Sequence, residues 1–420
     1  MLLAIGVIVA ESAPIALAAF SLALLVSLLF TRGTLRVVCV AMSAIAVALA
    51  CLPLSMLAAT IRASDAQVLA ATGRSVAAGE TAARAPFEFF PQLERGPEGP
   101  IRSSLGLPVT CRDGSRLGLD LYRVPSAGPR PAVILIYGGA WRFGTRANMR
   151  PYALELAALG YTAIAVDYRH APQHRYPTQV DDVRAALATI ARNARAWDVD
   201  PGSVALLGES AGAELALLAA YEPGPLHARA VVAYYAPLDL AGGYRDPPRP
   251  DPADIRNILR TYLGGSPDRI PRAYAAASPR TYVRAGLPPT LLIGGTRDEL
   301  VAIAFQHEMA SALAAAGDPV ASLEFPWSNH GFAALPYGLG GQLGRYYTER
   351  FLAETLNIPG APHAIQKEKA AARSTGAAER TRDERPARRR APRPPHGGAQ
   401  HREAGVAEVR NRVNREGGER

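Results

Sequence analysis

The amino-acid sequence predicts an α/β fold with a mainly parallel sheet, preceded by a membrane anchor of two helices. Three observations lead to this prediction. Short apolar runs alternate with helix-like segments between residues 105 and 357, which is typical of repeated β-α units. The first two runs flank Asp113-Gly114, a strong signal for a two-residue antiparallel hairpin. Two long apolar stretches open the chain, and each is long enough for a helix that crosses a membrane.

Each predicted element follows from the length and spacing of its apolar residues. The hairpin strands cover residues 109–112 and 116–124, and later strands cover residues 132–137, 162–166, 204–207, 230–235, 290–293 and 321–325. The predicted helices cover residues 149–159, 179–195, 211–220, 302–316 and 344–355. Parallel neighbours need crossover connections of about a dozen residues, which these helices supply. We therefore expect helices on both faces of the sheet.

The two apolar stretches, residues 2–30 and 37–61, predict a two-helix membrane anchor over residues 1–61. Residues 37–61 carry no charged side chain, whereas the first stretch contains Glu11 and is interrupted by Pro14. The alternative for the first stretch is a signal peptide, although no Lys or Arg precedes its apolar run. A cleaved N-terminus stays open as the second interpretation of this stretch.

The charges around the anchor predict its orientation. Arg32 and Arg36 lie in the short connector between the two apolar stretches, and positively charged connectors favour the cytoplasmic side. Both ends of the anchor, and with them the α/β domain, would then lie on the non-cytoplasmic side. Arg62 and Arg74 follow the second stretch and weigh against this orientation.

The chain's net charge of +9 is concentrated at its C-terminus. Residues 361–420 contain 15 Lys and Arg against 8 Asp and Glu, a net +7 that leaves +2 for the rest of the chain. A nearly neutral α/β domain argues against nucleic acid as a partner. Residues 358–420, rich in Arg, Pro, Ala and Gly, predict a disordered tail that is either passive or in contact with a polyanion such as anionic lipid. Residues 62–104 predict a linker in which residues 64–81 favour a helix.

The cysteines give no indication of a metal site. Cys39 and Cys51 lie in the apolar N-terminal region, which leaves Cys111 as the single cysteine of the remaining chain. It has no partner for a disulfide within the domain, and the sequence contains no Cys/His cluster with the spacing of zinc ligands. We therefore expect no metal and no cofactor, while the redox compartment stays open.

Gly208-Glu209-Ser210-Ala211-Gly212 matches the Gly-x-Ser-x-Gly pattern of a nucleophilic serine. The pattern is informative where a strand leads into it and a helix follows, and residues 204–207 and 211–220 predict both. The glycines allow close approach of neighbouring backbone, and the helix N-terminus supplies N–H groups and positive potential. The alternative is an ordinary glycine-rich β-α turn.

A second glycine-rich turn, Gly138-Gly139-Ala140-Trp141, follows the predicted strand 132–137. Glycine tolerates unusual backbone angles, which allow N–H groups to face a developing negative charge. Upstream of a nucleophilic serine, such a turn predicts an oxyanion hole, the set of N–H donors that stabilises a tetrahedral intermediate.

Together these motifs resemble the hormone-sensitive-lipase and carboxylesterase branch of the α/β-hydrolases. That branch carries His-Gly-Gly-Gly or His-Gly-Gly-Ala-Trp in its oxyanion loop, followed by Gly-x-Ser-Ala-Gly. Asp167-Tyr168-Arg169 with Ala171-Pro172, and Tyr176-Pro177 before Asp181-Asp182, resemble its Asp-Tyr-Arg-x-Ala-Pro…Pro…Asp stretch. The resemblance covers residues 105–357 and implies an α/β-hydrolase fold there.

The resemblance also implies the oxyanion donors and includes two departures. Carried over position by position, the donors are the backbone N–H groups of Gly139, Ala140 and Ala211. Tyr137 stands in place of the family's histidine, and Ala140 in place of its third glycine. Because the donors are backbone groups, we expect the oxyanion hole to be retained while the hydrogen bonding around the loop differs.

The acid and the base of the family follow the serine in that order. Asp298 comes after the predicted strand 290–293 and fits the family pattern Gly-x-x-Asp-x-x-Val. It would lie at the carboxyl end of a strand, where sites in open α/β sheets form. Its neighbour Glu299 is the alternative acid.

His330 is the predicted base. It lies in Asn329-His330-Gly331-Phe332, directly after the last predicted strand, and matches the family's His-Gly-Phe. His307 falls inside a predicted helix and His363 at the start of the tail, so neither is placed as well to meet the serine.

These assignments predict a serine esterase that acts on a small-molecule or lipid-like ester and attaches to a membrane through its N-terminal helices. Ser210 attacks the ester, His330 takes its proton, and Asp298 orients the imidazole. Two alternatives stay open. One is an amidase-like hydrolase or an acyltransferase with the same triad, and the other is a non-catalytic binding protein with the same fold.

Residues 239–280 interrupt the β-α alternation and predict a cap over the site, which would set specificity. The larger apolar side chains of this segment include Tyr244, Ile255, Ile258 and Tyr262. We expect them to pack inside the cap rather than to line an acyl pocket.

Overall fold

The structure is a computed structural model that describes residues 11–73, 85–89, 100–125 and 128–356. The predicted tail, residues 358–420, lies outside the described residues, as do residues 74–84 and 90–99 of the predicted linker. Within the described ranges the chain forms one mixed sheet surrounded by helices, together with a pair of N-terminal helices.

The helices connect the strands and cover the sheet. The described helices are α1 (Ala13–Phe30), α2 (Gly33–Thr72), α3 (Arg150–Ala158), α4 (Thr178–Asn193), α5 (Ala211–Tyr221), α6 (Leu240–Arg245), α7 (Ile255–Leu263), α8 (Pro271–Ala276), α9 (Ile303–Ala315) and α10 (Leu339–Thr355). Three of them, α6 to α8, belong to the predicted cap segment.

The sheet contains eight strands in the described part of the chain. They are β1 (Arg102–Thr110), β2 (Arg116–Arg123), β3 (Arg130–Ile136), β4 (Thr162–Val166), β5 (Val199–Glu209), β6 (Ala228–Tyr234), β7 (Thr290–Gly295) and β8 (Val320–Phe325). Their order across the sheet is β1-β2-β4-β3-β5-β6-β7-β8. β1 pairs antiparallel with β2, and β2 with β4, while all later neighbours pair parallel. The predicted mainly parallel sheet with a leading hairpin is confirmed.

The central strands are buried from both sides, as their continuous apolar sequences predict. Every residue of β4 is buried, and so is β3 from Ala132 to Ile136. Because parallel strands place their carboxyl ends at one edge of the sheet, the loops after β3, β5, β7 and β8 meet there.

Three elements begin five or more residues earlier than predicted. β1 starts at Arg102 rather than at residue 109, β5 at Val199 rather than at residue 204, and α10 at Leu339 rather than at residue 344. Glycine is unfavourable inside helices by roughly 1 kcal/mol, so the glycines of the first turn concealed the start of α10. At Gly341 a larger residue does not fit, because its Cβ would lie 2.0 Å from the Leu335 carbonyl oxygen.

The N-terminal helices form a hairpin whose connector is Thr31-Arg32. By length and composition both helices are capable of crossing a membrane. At 1.5 Å per residue α1 is about 27 Å long and α2 about 60 Å. Leu29, Phe30 and Val37, next to the connector, are 64%, 78% and 68% exposed. A large apolar surface therefore surrounds the connector end of the hairpin.

The opposite end of the hairpin is packed against the α/β domain. α2 continues past residue 61, where we predicted a linker, and its last turns pack on β8 and α10. The Tyr347 hydroxyl donates to the Ile61 carbonyl at 2.8 Å, and Arg350 Nη1 donates to Asp65 Oδ1 at 2.6 Å. The start of the predicted linker is thus a docked helix, because its inward face carries buried side chains such as Val68.

Candidate active site

Ser210 lies on the sharp turn between β5 and α5. Its backbone angles, φ 52° and ψ −121°, are strained for a residue with a side chain. A Cβ at Gly208 would lie 2.2 Å from the Gly212 carbonyl oxygen, and a Cβ at Gly212 would lie 2.2 Å from the Ile136 carbonyl oxygen. Both positions therefore require glycine, and the turn presents the serine hydroxyl at the carboxyl end of the sheet.

His330 connects Ser210 with Asp298. Its Nε2 lies 2.9 Å from Ser210 Oγ, and its Nδ1 lies 2.8 Å from Asp298 Oδ2. The imidazole is 10% exposed and the carboxylate 3%, so solvent weakens their interaction little. The structure thus brings together the three side chains that the sequence predicted as nucleophile, base and acid.

The loop after β7 orients Asp298. Its Oδ1 accepts the N–H groups of Leu300 and Val301, both at 2.8 Å, which leaves Oδ2 for the imidazole. The neighbouring Glu299 is held in another way, because its own backbone N–H donates to Asn329 Oδ1 at 3.0 Å. Within the described residues the carboxylate that accepts a hydrogen bond from the His330 imidazole is that of Asp298.

Asn329 ties the acid loop to the histidine loop, a role that the sequence analysis missed. Its Oδ1 accepts the N–H of Glu299 at 3.0 Å and that of His330 at 2.7 Å. The available signal was an amide residue directly before the predicted base. That position alone does not indicate which N–H groups the side chain accepts.

Tyr235 forms one wall beside the imidazole, and it was also missed. Its ring centroid lies 4.7 Å from that of His330, and its hydroxyl donates to Glu209 Oε2 at 3.1 Å. Burial raises the pKa of the Glu209 carboxyl above its ordinary value. Glu209 and Tyr235 therefore form a hydrogen-bonded pair at the nucleophile turn.

The predicted oxyanion loop lies against the nucleophile turn. A Cβ at Gly138 would lie 3.1 Å from Ser210 Cβ. The backbone φ is 136° at Gly139 and 50° at Ala140, angles that turn the N–H groups out of regular structure. In the described part of the chain, the N–H groups of Gly139, Ala140 and Ala211 donate to no protein acceptor.

Tyr137, which stands where the resembled family has histidine, makes a network of its own. Its hydroxyl donates to the Tyr168 carbonyl at 3.1 Å and lies 3.0 Å from His170 Nε2. The rings of Tyr137 and Tyr168 stack at 4.4 Å. Burial raises the pKa of Tyr137 and lowers that of His170, so the neutral forms of both groups are favoured. The expectation that hydrogen bonding around this loop differs from the family pattern stays a prediction.

Glu214, on the first turns of α5, supports the same loop from below. Its Oε2 accepts the Trp141 indole N–H at 3.1 Å, and its Oε1 lies 3.2 Å from the Tyr262 hydroxyl. The two aromatic rings stack at 4.1 Å. Burial raises the pKa of Glu214 well above its ordinary value. The carboxyl thus links the nucleophile helix, the oxyanion loop and the cap, and no sequence motif indicated it.

An apolar cavity opens beside Ser210 and His330, between the cap and the sheet. Its apolar lining includes Trp141, Leu238, Leu240, Ile255, Ile258, Leu259, Leu300, Val301 and Phe305. The expectation for the cap is therefore only half right. Ile255 and Ile258 line the cavity, whereas Tyr262 stacks on Trp141 and Tyr244 lies edge-on to Tyr274 at 5.8 Å.

The described residues contain no group of three or more His, Cys, Asp or Glu side chains placed to hold a metal ion.

Comparison with known proteins places the chain among esterases. The BD-FAE family model matches residues 119–313. Esterase LipC of Mycobacterium tuberculosis is 33% identical over 235 residues, which are 52% of this chain and 57% of that protein. An acetyl-hydrolase of Streptomyces hygroscopicus is 32% identical over 213 residues, which are 47% of this chain and 67% of that protein.

Solved structures confirm the α/β-hydrolase fold. An esterase of Thermogutta terrifontis with bound butyrate is 27% identical at a TM-score of 0.50, covering 59% of this chain and 94% of its own. A bacterial heroin esterase is 26% identical at a TM-score of 0.55, covering 63% and 87%. The chain spans 57%, 58% and 54% of the length of three curated mycobacterial relatives.

Proposed function

This chain belongs to the α/β-hydrolase esterases, and on that premise we propose that it hydrolyses carboxylic esters through an acyl-enzyme. In this proposal Ser210 is the nucleophile, His330 the general base and Asp298 the residue that orients the imidazole. The observation that carries it is the continuous hydrogen-bonded chain from Ser210 Oγ through both ring nitrogens to Asp298 Oδ2.

The first half of the proposed reaction forms the acyl-enzyme. Ser210 Oγ attacks the ester carbonyl carbon while its proton passes to His330 Nε2. The carbonyl oxygen becomes an oxyanion near the N–H groups of Gly139, Ala140 and Ala211. Each effective donor of this kind contributes about 3 kcal/mol to the transition state. The intermediate collapses when the imidazolium gives its proton to the leaving alcohol.

The second half repeats the steps with water as nucleophile. His330 takes a proton from the water, which attacks the acyl carbon, and the carboxylic acid leaves as Ser210 regains its proton. Throughout the cycle Asp298 holds one tautomer of the ring and stabilises its charged form.

The substrate class follows from the cavity beside the nucleophile. The cavity lining from α7 and the loop after β7 is aliphatic, so we infer that it receives an apolar acyl or alcohol group. Two of the relatives are an esterase and an acetyl-hydrolase, which supports a carboxylic ester as the substrate. Both a small-molecule ester and a lipid-like ester fit these features.

A fluorophosphonate probe tests the nucleophile directly. The full chain should react with the probe and hydrolyse p-nitrophenyl esters, and Ser210→Ala should do neither. His307→Ala is a suitable control, because His307 lies on α9 with 51% of its side chain exposed and bonds Glu324. Equal labelling of wild type and Ser210→Ala would refute the assignment of the nucleophile.

We also propose that the hairpin of α1 and α2 anchors the enzyme, with the α/β domain on the non-cytoplasmic side. The exposed apolar side chains at the connector end support insertion into a membrane. The arginines at positions 32 and 36 support the orientation. An alkaline-phosphatase fusion inserted at the connector should be inactive, and one joined after Thr72 should be active. The opposite pattern would place the domain in the cytoplasm.

A further inference from the structure

Glu11, the acidic residue inside the first apolar stretch, is buried at the domain end of the hairpin. It is 0% exposed. Its Oε1 accepts the Ser328 hydroxyl at 2.5 Å, and its Oε2 accepts the Gly340 N–H at 2.5 Å. Acidic side chains are almost never fully buried unless they are paired, so a carboxylate placed in this way calls for an explanation.

The surroundings of Glu11 are shaped to receive its carboxylate. A Cβ at Gly338 would lie 2.6 Å from Glu11 Cβ, and a Cβ at Gly340 would lie 2.8 Å from Glu11 Oε1. These two positions lack side chains where the carboxylate occupies the space. The fit is therefore specific on both sides of the contact.

The same carboxylate caps α10. Gly338 is the N-cap residue of this helix and has no side chain to cap it, although the first N–H groups of a helix need acceptors. Glu11 supplies the acceptor from a distant part of the chain. The N-terminal segment thus completes a helix of the α/β domain.

Ser328 connects this contact to the active site. It lies two residues before His330, it is 0% exposed, and its carbonyl accepts the N–H of Arg297 at 3.2 Å. Arg297 directly precedes Asp298. A displacement of Ser328 would therefore reach the histidine loop and the acid loop together.

We propose that Glu11 is a positioning residue for His330: the segment that leads into the membrane hairpin clamps the histidine loop through Ser328 and the start of α10. The inference rests on the proposed esterase function. It makes turnover depend on the docking of the N-terminal segment, although Glu11 touches neither the substrate nor the reacting atoms.

The test compares three variants of the full chain in detergent micelles with p-nitrophenyl acetate. Glu11→Ala should lower kcat tenfold to about a hundredfold with KM unchanged, because a small misplacement of a catalytic group has effects of this size. Glu11→Gln retains an acceptor for Gly340 and a partner for Ser328, so it should restore kcat to near the wild-type value. Asp65→Asn is the matched control. It weakens another carboxylate contact between the hairpin and α10, that of Asp65 with Arg350, and should leave kcat unchanged.

Amide hydrogen exchange provides a readout that does not depend on activity. The peptide that contains Gly340 should exchange faster in Glu11→Ala and at the wild-type rate in Asp65→Asn. A wild-type kcat in Glu11→Ala, or an equal loss in Glu11→Ala and Asp65→Asn, would overturn the positioning role. If the wild type shows no turnover that Ser210→Ala abolishes, the proposed function fails instead, and the exchange measurement still decides whether Glu11 caps α10.

Discussion

The nucleophile turn and the histidine loop place two neighbouring side chains by different means. In the turn, Gly208 and Gly212 leave no space for a Cβ, and the contacts that fix Ser210 come from its own motif and the adjacent strands β3 and β6. The histidine loop is held by remote partners, among them Glu11, which is 317 residues away from Ser328. A motif can encode the first arrangement, whereas the second depends on where distant segments fold.

The largest expected effect concerns the acid that orients His330. Asp298→Asn should lower kcat by about 10⁴-fold, because the imidazole loses the partner that fixes its tautomer. Glu299→Gln should leave kcat close to the wild-type value. Steady-state kinetics with one ester separates the two variants. A larger fall in kcat for Glu299→Gln than for Asp298→Asn would mean that Glu299, and not Asp298, orients His330.

The nucleophile turn should respond to a single methyl group with a loss of stability. Gly212→Ala places a Cβ 2.2 Å from the Ile136 carbonyl oxygen and 2.4 Å from that of Tyr137, and overpacking against backbone costs about 3 kcal/mol. Gly224→Ala is the control, because its Cβ would meet nothing closer than 3.8 Å. Thermal unfolding in detergent measures both. Equal midpoints would mean that close backbone approach is not what fixes the turn.

A substitution in the histidine loop should instead lower kcat, with only a modest loss of stability. Asn329→Ala removes the acceptor of two N–H groups, so kcat should fall tenfold to about a hundredfold through misplacement of the ring. The free energy of unfolding should fall by about 1–2 kcal/mol. Asn329→Asp keeps the acceptor oxygen and should recover most of the rate. Failure of Asn329→Asp to do so would show that the amide N–H₂ group, and not the acceptor, matters.

Glu214 offers the smallest effect, which grows with pH. Burial raises its pKa in the folded protein well above the ordinary value of 4.5, so folding takes up a proton at pH values between the two. Its contribution to stability is full below pH 4.5 and is lost as the pH rises through the raised pKa. Glu214→Gln keeps neutral partners for Trp141 and Tyr262 without this proton.

Thermal midpoints of wild type and Glu214→Gln, measured from pH 4.5 upward, test this directly. The thermal midpoint of the variant should rise relative to that of the wild type as the pH rises. Parallel curves would mean that Glu214 is ionised in the folded protein, and the connection between the nucleophile helix and the cap would then depend on charge.

Much of the fold could be predicted because its signals are periodic. Buried parallel strands read as apolar runs, so β3 and β4 were located within two residues at each end. The prediction failed where tertiary packing overrides propensity. The glycines that start α10 look unfavourable for a helix, and they are tolerated because neighbouring backbone and Glu11 occupy the space of their side chains.

The site divides in the same way. Ser210, Asp298 and His330 were named from short motifs in a required order, and the structure brings them within hydrogen-bond distance. Asn329, Glu214 and the partners of Glu11 could not be named, because each acts through a contact between segments far apart in the sequence. No periodicity or spacing of residues encodes such a contact.

The docked end of α2 has a geometric consequence for the proposed anchored enzyme. A flexible linker would let the α/β domain wander above the bilayer over a distance set by linker length. Here a continuous helix emerges from the hairpin and lies on β8 and α10, so the height and tilt of the domain are set by the helix itself. In an anchored enzyme, the mouth of the cavity would then stay at a constant distance from the lipid surface.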